Sequence, residues 1–196
     1  MIAYIKGNIT FKNPTYVIVE TGGVGYHINI SLNTYAQIEK LENIKILTHF
    51  HVKEDSQTLY GFAEDAERSM FVMLISVSGI GPNTARVVLS SLKVDEVRSA
   101  ILSENVATFN KVKGIGPKTA KRIILDLKDK VMKDGGEAPV ALAPTNNTVR
   151  SEALSALVAL GFQKIKVQKT LNKIIQQEPS IDKVEELIKR ALKQLS

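Results

Sequence analysis

A short run of glycine, proline and small polar residues occurs twice in this chain, and its chemistry suits the binding of an anion. The first turn, VSGIGPNTAR, covers Val77–Arg86, and the second turn, VKGIGPKTAKR, covers Val112–Arg122. In each turn the first glycine can take the left-handed conformation that closes a helix. The proline suits the first position of a following helix, where an amide hydrogen has no intrahelical acceptor. Both segments therefore predict a tight turn between two helices.

The predicted turns expose backbone to which a phosphate can come close. Gly81 and Gly116 leave the chain uncovered, and the amides near Thr84 and Thr119 point outwards from a helix N-terminus. Such an end carries roughly half a positive charge. Binding of this kind contacts the phosphate backbone and carries no base-sequence information. Two turns 35 residues apart, measured from Gly79 to its equivalent, predict one phosphate site for each strand of a duplex.

The second turn lies in a basic segment. Lys118, Lys121 and Arg122 surround it, and no acidic residue lies between Lys111 and Arg122. The predicted DNA-binding residues of the two turns are Gly79, Gly81, Asn83, Thr84, Arg86, Gly114, Gly116, Lys118, Thr119, Lys121 and Arg122.

Other interpretations of these glycines fit the sequence less well than phosphate-backbone binding does. A lone Gly-x-Gly between helices is usually only a tight turn, but duplication with the same Pro, Thr and Ala argues against that interpretation. The segment GIGPKT lacks the Gly-x4-Gly-Lys spacing of nucleotide-binding loops. It also does not match the dinucleotide-binding fingerprint, because no predicted strand precedes it and no third glycine follows. The GGVG segment at Gly22–Gly25 lies in a predicted β-hairpin and is interpreted as structural.

Composition limits the class of protein. The 196 residues contain no cysteine, which excludes disulfides and cysteine-based zinc sites, and we expect a cytoplasmic protein. No run of 18 apolar residues predicts a membrane span. The net charge is +6; residues 63–133 hold 12 Lys and Arg against 8 acidic residues, which suits a polyanion partner. His49 and His51 lack the further ligands that zinc needs, so we expect no metal and no cofactor.

The hydropathy pattern predicts an α+β multidomain chain. Residues 1–62 alternate as about five short strands, with a helix at Thr34–Leu41, and predict an OB-type β-barrel, domain I. Residues 63–133 follow helical spacing and hold both turns as domain II. Residues 134–147 are typical of a flexible linker, and residues 148–196 predict a three-helix, UBA-like bundle as domain III.

These features resemble those of a known family. A Gly-apolar-Gly turn between helices resembles the helix-hairpin-helix motif, and a tandem pair between a barrel and a tethered three-helix bundle resembles the RuvA family of Holliday junction-binding subunits. The matches GGVGY at Gly22–Tyr26, KEDSQTLYGF at Lys53–Phe62 and ALVALGF at Ala156–Phe162 extend the resemblance over the whole chain.

The resemblance implies a function and partners. It implies a non-catalytic subunit that binds four-way junction DNA, holds it open and flat, and recruits the hexameric RuvB ATPase for branch migration in recombination and repair. It also implies a homotetramer or an octamer, the RuvC resolvase in the same complex, and no membrane.

The resemblance gives roles to residues that the pattern alone leaves ambiguous. Glu54 and Asp55 alone predict a solvated turn, whereas the family implies an acidic pin at the centre of the DNA-facing surface. Lys53 stands where the family often has arginine, and lysine cannot make a bidentate phosphate contact. The end of the ALVALGF segment is by itself a helix end with core packing, whereas the family implies an apolar groove for RuvB. The predicted groove residues are Leu157, Leu160, Phe162 and Leu192.

Two other functions stay open at the level of sequence. Helix-hairpin-helix modules also occur in glycosylases and ligases; Asp126 follows the second turn but on a plain helical surface, and KDGG lacks the ligase spacing Lys-x-Asp-Gly. A general duplex-binding module would show no preference between linear and branched DNA.

Overall fold

The chain divides into two compact units, Met1–Gly136 and Glu137–Ser196. The computed structural model describes residues 1–134, 146–178, 181 and 183–195. In the first unit the elements are β1 (Tyr4–Lys12), β2 (Tyr16–Thr21), β3 (Val24–Ile30), α1 (Leu32–Ile38), β4 (Asn43–Val52), β5 (Gln57–Phe62), α2 (Asp65–Ile75), α3 (Pro82–Ser91), α4 (Val94–Leu102), α5 (Val106–Asn110) and α6 (Pro117–Asp134). In the second unit they are α7 (Asn146–Ala159), α8 (Lys164–Gln177) and α9 (Val184–Leu195).

The five strands close into a barrel, which confirms the predicted OB-type architecture. Their order is β1-β2-β3-β5-β4, and β4 returns to pair with β1. All pairings are antiparallel except that of β3 with β5. Alternate residues such as Val17, Val19 and Ile28 fill the interior. Gly61 is required at the closure, since a Cβ there would lie 2.5 Å from Cγ2 of Ile28.

Helix α1 begins and ends earlier than the predicted Thr34–Leu41. Ser31 is its N-cap, and the Ser31 hydroxyl accepts a hydrogen bond from the Thr34 amide at 3.0 Å. This cap fixes the start of the helix, because serine oxygen satisfies an amide that has no intrahelical partner. The helix is complete at Ile38, whose side chain is buried in the barrel core.

Helices α2 to α6 pack around one apolar core beside the barrel. Its largest fully buried side chains include Phe71, Leu74 and Phe109. Helix α2 ends at Ile75, four residues before the stop expected at Gly79. The α-helical pattern ends there because the Val77 amide donates to the Leu74 carbonyl, three residues before it, at 3.1 Å. Such three-residue bonds are common in the last turn of a helix.

A buried carboxylate joins the barrel to the helices. Glu67 on α2 is 4% exposed and accepts hydrogen bonds from the hydroxyls of Ser31 and Thr34. The Thr34 oxygen also accepts from the Ala63 amide at 3.3 Å. Burial raises the pKa of Glu67 above its ordinary value, although the two hydroxyl donors act in the opposite direction. The Glu67 side chain therefore links the start of α2 to the start of α1.

The second unit is a three-helix bundle with its own core. Ala153, Leu157 and Leu171 are fully buried within it. Gly161, at φ +95°, ends α7, and the Phe162 amide bonds back to the Leu157 carbonyl at 3.2 Å. The predicted linker at 134–147 lies mainly outside the described residues, which resume at α7. Among the helices of the described ranges, none is long and apolar enough to cross a membrane.

Candidate nucleic-acid interface

The two turns have the same backbone geometry. Gly79 and Gly114 both take φ +89°, the left-handed region that glycine tolerates best. The Ile80 amide bonds to the carbonyl three residues before it at 3.0 Å, and the Ile115 amide does the same at 3.1 Å. Both isoleucines are 5% exposed and lie in the helical core. The conformation predicted for the duplicated segment is therefore present twice.

Each turn presents the start of a helix to open space. The first helical hydrogen bond of α3 runs from the Ala85 amide to the Gly81 carbonyl at 3.0 Å, so the amides of Asn83 and Thr84 precede the helical ladder. Among the described residues neither amide has an acceptor. A Cβ added to Gly81 or Gly116 would have nothing within 4 Å. The backbone at these two glycines is therefore open on the side where a Cβ would lie.

Cations are distributed unequally between the turns. Lys118, Lys121 and Arg122 are exposed around the second turn. The Arg122 Nη1 also donates to the carbonyl of Ser78 in the first turn, at 3.0 Å. This contact joins the two turns, and sequence spacing could not reveal it because its partners are 44 residues apart.

Arg86 has a contact that the sequence did not predict. Its Nη1 donates to the Thr15 carbonyl at 2.9 Å and to Asn29 Oδ1 at 3.1 Å, so the half-buried side chain connects α3 to the barrel. The Thr15 contact spans 71 residues of sequence. DNA binding by Arg86 stays a prediction, and a phosphate would have to compete with these barrel acceptors.

The acidic pair occupies the loop between β4 and β5. Glu54 and Asp55 are exposed, and the loop is closed by a 2.8 Å hydrogen bond from the Lys53 amide to the Ser56 carbonyl. The Ser56 hydroxyl donates to Asp55 Oδ1 at 3.3 Å. The two carboxylates therefore extend from the barrel into solvent, and their location within a DNA-facing surface stays a prediction.

The histidine pair packs against aromatic side chains. The ring centroids of His49 and His51 are 6.3 Å apart, and His49 lies 5.5 Å from Phe71. Burial lowers the pKa of His49, and the positive charges of His51 and Arg68 lower it further. Within the described part of the chain no three potential ligands cluster as a metal site.

Comparison with known proteins agrees with the order of these parts. Residues 1–61 match the family model described as RuvA N terminal domain, residues 71–129 match a SAM-like helix-hairpin-helix tandem, and residues 148–196 match the RuvA C-terminal domain. A protein of Christiangramia forsetii named Holliday junction branch migration complex subunit RuvA is 53% identical over 100% of both chains. The chain belongs to the RuvA family.

Further relatives carry the same name. The protein of Cytophaga hutchinsonii is 49% identical, covering 98% of this chain and 99% of its own length. That of Flavobacterium psychrophilum is 48% identical over 100% of both chains. The family resemblance drawn from the sequence motifs is thus confirmed, and the match extends over all three parts of the chain.

The RuvA C-terminal bundle places the four predicted partner-binding residues differently. Leu160 is 63% exposed, whereas Leu157 is fully buried in the bundle core. Phe162 and Leu192 are half-buried at the edge of that core. Leu157 therefore cannot line an open groove in this conformation, because no part of its side chain is accessible. Two apolar residues of the bundle outside the predicted set are also exposed, Val158 at 38% and Ile165 at 71%.

Proposed function

We propose that this RuvA-family chain binds four-way DNA junctions without sequence specificity, holds them open and flat, and presents them to a motor. The supporting observation is the pair of turns with equal glycine geometry and unpaired amides within one compact unit. Two such sites contact two backbones at a spacing set by a packed protein core. The relatives are named as subunits of a branch migration complex, which agrees with this role.

The proposal includes the organisation of the chain and its partners. Domain I comprises residues 1–62, domain II residues 63–133 and domain III residues 148–196, with a linker between the last two. We propose that a homotetramer or octamer binds the junction in the cytoplasm, that domain III binds the RuvB ATPase, and that RuvC joins the complex. The chain itself is proposed to be non-catalytic. Its sequence lacks a nucleotide-binding loop, and hydrolysis of ATP is assigned to the motor.

Competition between linear and branched DNA tests the central claim. Labelled four-way junction is bound to the full chain, and unlabelled junction or duplex of equal length is added at a fixed salt concentration. We expect junction to compete far better than duplex, and affinity to fall steeply with salt because phosphate contacts release counterions. Equal competition by the two DNAs would instead identify a general duplex-binding module.

The acidic pair gives a sharper test of junction preference. In the double variant Glu54→Gln and Asp55→Asn, duplex affinity should rise, because like-charge repulsion between the carboxylates and phosphates is removed. Junction affinity should change less, so the preference for junctions should fall. The measurement is the ratio of dissociation constants for both DNAs at one salt concentration. Lys53→Gln, which changes the charge of the same loop in the opposite direction, is the matched control, and an unchanged ratio in the double variant would remove the proposed role.

A further inference from the structure

We infer that Arg122, which belongs to the second turn, supplies the positive charge of the phosphate site at the first turn. The inference rests on the proposed function and deepens it. It assigns Arg122 a cross-turn role, whereas sequence position places it with Lys118 and Lys121 at the second turn.

The one cation of the first turn is bound to the barrel. Between Val77 and Arg86 the only charged side chain is Arg86 itself. Its Nη1 is occupied by acceptors on the barrel, Thr15 and Asn29. The second turn, by contrast, has three lysines of its own, at 113, 118 and 121. If each turn used only its own side chains, the strand at the first turn would meet a single cation whose Nη1 is already bound to barrel acceptors.

Arg122 lies where the missing charge is needed. Its Nη1 is 3.0 Å from the carbonyl of Ser78, the residue before Gly79, and 3.7 Å from the position that a Cβ on Gly79 would occupy. The side chain is exposed. A guanidinium has five N–H donors, and within the described residues Ser78 is its one hydrogen-bond acceptor. The remaining donors can reach a phosphate oxygen that approaches the first turn.

The contact has no counterpart in the reverse direction. In the repeat, Gly79 is equivalent to Gly114, so Arg122 is equivalent to Val87. Valine has no hydrogen-bond donor in its side chain and cannot bind the carbonyl of Lys113, which is equivalent to Ser78. The contact is therefore one-sided: it places a charge from the second turn beside the first turn, while the packed core sets the spacing of the two turns.

Site-directed cleavage of DNA can assign the charge to a strand. The chain has no cysteine, so Val87→Cys on α3 and Lys111→Cys before the second turn each give one attachment point for an iron chelate. Cleavage from each point identifies the phosphates nearest to that turn on a bound junction. Ethylation interference on the full chain without the chelate then measures which of those phosphates are needed for binding.

We compare Arg122→Gln with Lys121→Gln, which removes an exposed neighbouring charge that has no contact with the first turn. Both variants should lower the slope of log affinity against log salt by about one phosphate contact. Interference should disappear at the phosphates near the first turn in Arg122→Gln, and at those near the second turn in Lys121→Gln. Arg122→Lys should restore the slope but only part of the first-turn interference, because one ammonium replaces a planar fork.

Two outcomes would overturn the inference. One is that Arg122→Gln loses ethylation interference only at the phosphates near the second turn. The other is that a folded Arg122→Gln keeps full interference at the phosphates near the first turn. Arg122→Lys provides the same readout if the glutamine variant does not fold. Absence of interference at both turns in the wild-type chain is a different result and would contradict the proposed function itself.

Discussion

Within each turn, two glycines separated by one isoleucine meet different physical requirements. Gly79 takes φ +89°, which a side chain disfavours, whereas Gly81 takes φ −85° and ψ 167°, which any residue adopts. A Cβ at Gly81 would lie in open space. We therefore interpret the first glycine as a requirement of folding and the second as a requirement of phosphate approach.

The substitutions Gly79→Ala and Gly81→Ala separate these requirements. Gly79→Ala should lower the free energy of unfolding by about 1 kcal/mol, because alanine is strained in the left-handed region. Gly81→Ala should leave stability nearly unchanged and weaken junction binding, because its methyl group lies beside the unpaired amides. Urea unfolding and junction titration measure the two effects. Normal binding by Gly81→Ala would show that phosphate does not approach this backbone.

Local conformation at the turns was predictable from residue type, whereas side-chain partners were not. Glycine, isoleucine and proline in that order determine the turn through steric and hydrophobic effects within a few residues. The partners of Arg86 and Arg122 come from elements that are distant in sequence. The sequence shows where an arginine charge is, but not which carbonyl the long side chain reaches. For Leu157, helical spacing alone does not distinguish a buried core residue from one that lines a surface groove.

At the scale of elements, α1 and α2 are connected through the carboxyl group of Glu67, whose ionised form is disfavoured by burial. Glu67 is buried and accepts from two hydroxyls, and burial raises its pKa above the ordinary value of 4.5. A carboxyl with a raised folded-state pKa contributes most stability below its unfolded pKa. That contribution is lost as pH rises from about 4.5 through the folded-state pKa.

Glu67→Gln provides the measurement. Glutamine does not titrate, so the difference in unfolding free energy between wild type and variant isolates the carboxyl. We expect the wild type to be favoured most near pH 4 and to lose that relative advantage towards pH 7. Glu20→Gln, an exposed change on β2, is the control and should show little pH-dependent difference. A flat difference between wild type and Glu67→Gln over this range would contradict the prediction.

The alternating hydropathy pattern predicts most strands of the barrel, whereas its closure depends on pairing between strands that are distant in sequence. Alternation and the glycine pair at Gly22 and Gly23 predicted β2 and β3. The parallel pairing of β3 with β5 joins segments that are separated by α1 and β4, so no local signal specifies it. Apolar spacing alone sets the start of α1 too late, whereas the Ser31 cap, which accepts from the Thr34 amide, is a signal in the sequence for the earlier start.

At the scale of the whole molecule, the proposed function assigns DNA binding to the first compact unit and motor binding to the second. We predict that removal of residues 148–196 leaves junction affinity within about twofold, because both turns and the barrel belong to the first unit. Stimulation of RuvB by the chain should be abolished. Gel-shift titration and an ATPase assay with RuvB measure the two activities; loss of junction binding by a folded first unit would contradict the division.

A point substitution tests the same division with the full chain. Leu160→Ala should weaken binding to RuvB without changing the melting temperature, because the side chain is 63% exposed. Leu157→Ala is the contrasting variant, and it should cost about 2–5 kcal/mol of bundle stability because it leaves a cavity in the core. Calorimetry of both variants, together with a RuvB binding titration, distinguishes contact from packing. Normal RuvB binding by Leu160→Ala would exclude this leucine from the partner surface.

Barrel closure also restricts how copies of the chain can meet. Each of the five strands has two hydrogen-bonded neighbours, so no strand of the barrel is an edge strand along its whole length. An exposed edge is the usual template for intermolecular sheet extension and aggregation. Over the paired length of the barrel, the proposed assembly of copies would therefore depend on complementary side-chain surfaces, and surface substitutions could alter its symmetry while the backbone ladder stays intact.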